Sequence, residues 1–148
     1  DQVIRLVSLI DQNPRWYGTS SKWSLLEVAR ALRKDGKTKE IVELDLRELR
    51  SHRITFVPVS DKILSEAEKL VGATDLYAAD AVHISTYRNL ARRSRLEGFL
   101  CEDVHYERFK EHVPVRAIAD LEFLTPDRIT RKMWSQISLA RPTPATVS

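Results

Sequence analysis

Short β-branched or aromatic runs alternate along this chain with amphipathic helical patterns, and that alternation constrains the fold more than any single motif. Val3, Ile4, Leu6, Val7, Leu9 and Ile10 are spaced as a helix face, which Asn13-Pro14 closes because the residue before proline is pushed out of the helical region. Arg15 to Thr19 reads as a strand, and Ser20 or Ser21 is placed to cap a helix from Lys22 to Lys34 that Asp35-Gly36 ends. Lys37 to Arg50 reads as a largely solvated helix carrying Ile41, Leu44 and Leu49. Ile54 to Val59 then reads as a strand with Pro58 at its end, and Ser60 opens a helix from Asp61 to Val71. A strongly apolar helix is expected from Leu76 to Ala91. Buried strands are expected at Leu96 to Cys101 and Val115 to Ile118, with a short polar helix at Tyr106 to Glu111 between them. Strands separated by helices need crossover connections, which predicts an α/β protein with a mainly parallel sheet covered by helices on both faces.

At 148 residues the chain suits one core. The pattern weakens after Leu124, so residues 1–124 read as the domain and 125–148 as an extension ending in an extended tail around Arg141-Pro142-Thr143-Pro144. No apolar run approaches the roughly 20 residues of a membrane-spanning helix. The single cysteine, Cys101, forms neither an internal disulfide nor a zinc cluster, and a reducing, cytoplasmic setting is expected. With four glycines there is no Rossmann or P-loop fingerprint. A net charge of +3 permits contact with a polyanion without requiring it.

Three carboxylates carry the chemical signal. Glu27 interrupts the apolar start of a helix in Leu25-Leu26-Glu27-Val28-Ala29, and Asp80 does the same in Ala78-Ala79-Asp80-Ala81-Val82. Asp103 directly follows the strand that contains Phe99, Leu100 and Cys101. Strand ends and helix starts are where an open α/β sheet places its crevice. Carboxylates gathered there repel one another unless a cation lies between them, and carboxylate with water is the preferred environment of Mg²⁺ or Mn²⁺. Such metals support in-line cleavage of a phosphodiester. Each acid also has a purely structural reading: Glu27 paired with Arg30, Asp80 placed for the helix dipole, Asp103 capping the next helix.

Ser20-Ser21 with Leu25-Leu26-Glu27-Val28-Ala29-Arg30, then Asp80-Ala81-Val82-His83-Ile84, then Phe99-Leu100-Cys101-Glu102-Asp103, resembles the PIN-domain family in order and context, most closely its VapC-type toxin branch. The likeness covers residues 1–124, and the Asp80 run is its most specific part. It implies a three-layer α/β/α sandwich and Mg²⁺- or Mn²⁺-dependent cleavage of RNA. It also implies that Glu27, Asp80 and Asp103 are three of four metal-site acids. A homodimer and a small antitoxin partner are further implications. Cys101 stands where the family often has Ser or Thr. The family's remaining acid ends a first strand, and Asp1, followed by Gln2-Val3-Ile4, does not match it, so that strand is expected upstream of Asp1, the alternative being a divergent copy that lacks it.

Arg30 and Lys34 share the helix face of Glu27 and are candidates, with Arg88, for holding RNA phosphates. His83 and Tyr87 share the face of Asp80, with packing as the commoner fate of both. Arg92, Arg93 and Arg95 extend the basic cluster begun by Arg88. Trp16, Trp23 and Trp134 can stack on bases or pack in the core. Two rival readings are a non-catalytic PIN-like module that binds RNA or protein, and a nuclease acting on DNA.

Overall fold

The structure of this protein, a computed structural model, describes residues 7, 8, 10–12, 14, 17–96, 98–101 and 106–116. Val7, Ser8, Ile10, Asp11 and Gln12 are helical, as the apolar spacing predicts. Strand β1 (Gly18–Ser21) and strand β2 (Ile54–Val57) pair in parallel, with Gly18 opposite Ile54 and Ser21 opposite Val57. Between them run helices α1 (Trp23–Lys34) and α2 (Lys39–Ser51). Helices α3 (Asp61–Ala73) and α4 (Ala78–Ala91) follow. A second parallel pair is formed by β3 (Phe99–Leu100) and β4 (Val115–Arg116), with α5 (Tyr106–Lys110) between them. The class is therefore α/β.

Local chemistry explains most boundaries. Gly36 takes a φ of 79°, and the amides of Gly36 and Lys37 return to the carbonyls of Arg33 and Leu32, the glycine-dependent closure expected after α1. Thr38 and Ser60 cap α2 and α3, their hydroxyls accepting from the amides of Ile41 and Ile63.

Several expectations are corrected. The first strand runs from Gly18 to Ser21 rather than from Arg15 to Thr19, because its ladder with β2 continues through Ser20 and Ser21; Arg15 and Trp16 lie outside the described residues. Those two serines are thus strand residues, although Ser21 Oγ still accepts from the Trp23 amide at 3.1 Å. The β2 strand stops at Val57 rather than Val59, since Pro58 has no amide to donate. The Leu96–Cys101 strand shrinks to Phe99–Leu100, and Leu100 is 38% exposed rather than buried. Ala117 and Ile118 lie outside the described residues. Among the described residues the strands form two parallel pairs, β1 with β2 and β3 with β4.

Helix α4 links the two halves through packing. Its Ala81 and Val82 join Ile63 and Ala67 of α3 in one buried cluster, against which Trp23, Val59 and Leu70 pack. Its Ile84, wholly buried, joins Leu76, Phe109 and Val113 in a second, against which Leu70, Tyr87, Phe99, Cys101 and Val115 pack. Cys101 and Trp23 therefore serve packing. Helix α2 is as solvated as its sequence suggests, burying Val42 and leaving Leu44 largely exposed.

Candidate functional site

The start of α4 is built by its own loop. Thr74 Oγ1 donates to the Leu70 carbonyl at 2.6 Å and accepts from the Leu76 amide, and Leu76 is buried just ahead of the helix. Arg108 of α5 approaches Asp75 at 3.8 Å and lies over the Tyr77 ring. These contacts fix the first turn of α4, where Asp80 is half-buried near the positive end of the helix dipole.

Glu27 arrives from the opposite element. The chain leaves β1 at Ser21 and enters α1 at once, and the Lys22 amide is held by the Val57 carbonyl at the end of β2. Ser20 Oγ and Ser24 Oγ lie 2.6 Å apart across this junction, and Glu27 follows Ser24 by three residues, on the same helix face. The Glu27 Oε2 atom lies 2.7 Å from His83 Nε2 on α4, a contact between residues 56 positions apart in sequence. His83 is one turn beyond Asp80. The contact therefore ties Glu27 to the residue one turn along α4 from Asp80. It also replaces the local Glu27–Arg30 pair as the partner of this carboxylate.

Glu27 and Asp80 suit a hard divalent cation in kind, because Mg²⁺ takes one or two protein carboxylates and completes its shell with water. Among the described residues, no group of three or more His, Cys, Asp or Glu side chains is placed to hold one ion. Asp103, the third expected acid, lies outside the described residues.

The remaining candidates separate by location. Arg30 and Lys34 are exposed on α1 and make no ion pair among the described residues. Arg88 is turned elsewhere: its Nε and Nη2 donate to the His112 carbonyl at 3.3 and 3.2 Å. Tyr87 does not join the acids. It meets Phe99 edge-on at 5.7 Å in the second core cluster, and burial raises its phenol pKa above the ordinary value. Trp16 and Trp134 lie outside the described residues.

Sequence reasoning passed over the polar face of α3. Lys62, Ser65, Glu66 and Lys69 stand at i, i+3, i+4 and i+7, a spacing that puts them on one stripe. Among the described residues no helix is long and apolar enough to cross a membrane. Comparison with family models, with curated proteins and with solved structures finds no significant match for this chain.

Proposed function

We propose that this chain is a metal-dependent endoribonuclease of PIN-like type, acting in the cytoplasm. The observation that supports it is the Glu27–His83 contact, which ties one predicted acid to the residue one helical turn beyond another. Glu27, Asp80 and Asp103 would hold Mg²⁺ or Mn²⁺. When bound, the cation activates water and steadies charge on the phosphodiester under attack. His83 orients the Glu27 carboxylate by donating its Nε2–H. Arg30 and Lys34, exposed on the α1 face beyond Glu27, meet RNA phosphates.

The three-layer sandwich belongs to the same proposal. One further parallel strand between β1 and β3 would join the two pairs into a single sheet under α4, whose side chains already pack with residues of both halves. Leu26 and Leu44, 61% and 58% exposed on α1 and α2, offer apolar surface for the antitoxin and the second protomer that the resemblance implies.

Asp80→Asn removes one charge with almost no change in volume. It is expected to lower Mn²⁺-dependent RNA cleavage at least about 100-fold, the upper end of what losing even an outer-shell partner of a metal costs, while the far-ultraviolet dichroism stays as in the wild type. Cleavage at the wild-type rate by that variant would remove the site assignment. Unchanged Mn²⁺ binding by calorimetry would do the same.

A further inference from the structure

The polar stripe of α3 does not face open solvent alone. Across from it, Arg88 in the last turn of α4 and Arg92 at its C-cap stand one turn apart, and the two sides line an open groove of about 600 Å³. Four cationic side chains, Lys62, Lys69, Arg88 and Arg92, meet a single carboxylate there, that of Glu66.

The carboxylate is already engaged. Glu66 receives both terminal nitrogens of Arg92, at 3.1 and 3.2 Å, a two-pronged pair that neutralises one cation and fixes it against α3. Arg88 is different, because its partner is the neutral carbonyl of His112: the guanidinium is held in place while its charge is left uncompensated. Lys62 and Lys69 are exposed and make no ion pair among the described residues. They lie two turns apart, about 10 Å along the helix. The groove therefore presents three uncompensated positive charges on a scaffold of two packed helices, with one of the three half-buried and rigidly placed. Clefts lined by one sign of charge concentrate ligands of the other sign.

We propose that the α3–α4 groove binds the phosphodiester backbone of single-stranded nucleic acid, separately from the acids at the start of α4. Arg88 is the fixed anchor, and Lys62 and Lys69 take successive charges along the strand. A nucleic-acid backbone is favoured over an acidic protein because the groove carries a row of point charges along a helix and few apolar side chains, Leu70 being its main one. The choice of RNA as the strand rests on the nuclease reading; the anion groove itself does not.

The test is fluorescence anisotropy of a labelled 12-nucleotide oligo(U) in EDTA, over a range of salt. The variants are Lys62→Glu/Lys69→Glu and the milder Lys62→Gln/Lys69→Gln, each checked for folding by circular dichroism. The charge-reversed protein is expected to bind about 10-fold more weakly at 0.1 M salt, and loss of two phosphate contacts lowers the salt slope by about 1.4. The Gln pair should show a smaller loss in the same direction. Wild-type affinity and slope in both variants would overturn the proposal. So would a poly-glutamate chain of equal charge that binds as tightly and loses affinity in the same variants, since that outcome assigns the groove to an acidic protein. The two readings fail separately. Groove-dependent RNA binding with no Asp80-dependent cleavage removes the nuclease alone, whereas Asp80-dependent cleavage with unchanged binding in the lysine variants removes the groove alone.

Discussion

The Glu27–His83 contact is small in energy and large in consequence. Its side chains are 45% and 21% exposed, and an ion pair or hydrogen bond so placed contributes about 1 kcal/mol or less to stability. What it does supply is orientation. The partner of Glu27 comes from another element, and an imidazole N–H that fixes a carboxylate leaves the remaining lone pairs aimed in one direction. His83→Ala is therefore expected to weaken Mn²⁺ binding about 10-fold, with a melting temperature close to that of the wild type. His83→Gln, whose amide can still donate, should recover part of the affinity. Calorimetry with Mn²⁺ on both variants, set beside their thermal unfolding, separates a positioning role from a structural one. Equal metal affinity in all three proteins would leave His83 as a packing residue only.

Among the elements, the boundaries that local chemistry dictates were legible in the sequence. Gly36 ends α1 because a residue is needed at positive φ, and Thr38 and Ser60 start helices because their hydroxyls meet amides three residues on. Ser20 and Ser21 carry the same capping signal yet lie in β1, since pairing with Phe56 and Val57 decides their backbone, and nothing within three residues encodes a partner so distant. Likewise Glu27 and Asp80 were visible as charges in apolar helix starts, while the contact with His83 was not. The α3 stripe was readable from its spacing, but the arginines facing it become relevant only once α3 and α4 pack. Asp11 shows a similar long-range tie. Its carboxylate accepts from the Arg53 amide at 3.0 Å and lies 2.6 Å from His52 Nδ1, so the helical residues near the start of the chain are pinned to the junction of α2 and β2. The Arg53 amide first, and then His52, hold the Asp11 pKa below the ordinary aspartate value. A lowered carboxylate pKa means that the folded state binds its proton less readily than the unfolded state. The tie then stabilises the fold above the ordinary aspartate range and is lost as the pH falls through the lowered value, below about pH 4. Denaturation of the wild type and Asp11→Asn at a series of pH values should give curves that differ near neutrality and converge in acid. Parallel curves would assign the acid loss to other carboxylates.

For the molecule as a whole, the question is whether two small parallel sheets behave as one body. Neither pair of strands is independently stable, since an isolated two-stranded unit is marginal in water, so each depends on the helix that covers it. That helix is α4 for both. Ala81 and Val82 sit in the cluster that includes Trp23, and Ile84 sits two positions on in the cluster that includes Phe99 and Val115, while Leu70 packs against each. A defect on the β3–β4 side of α4 must therefore be felt on the β1–β2 side if the helix is a shared core. Ile84 is wholly buried, and Ile84→Ala is expected to cost about 2–5 kcal/mol through lost transfer energy and the cavity left behind. The decisive readout is fluorescence of Trp23 in a background where Trp16 and Trp134 are replaced by Phe, because Trp23 belongs to the other cluster. Coupled halves lower the denaturant midpoint seen by Trp23 as much as the midpoint seen by far-ultraviolet dichroism, with one transition in each. A Trp23 transition that stays at its original midpoint while the dichroism splits into two steps would show that the sheets unfold separately. In that case the Glu27–His83 contact would rest on the β1–β2 half alone, and the proposed metal site would survive damage to the other.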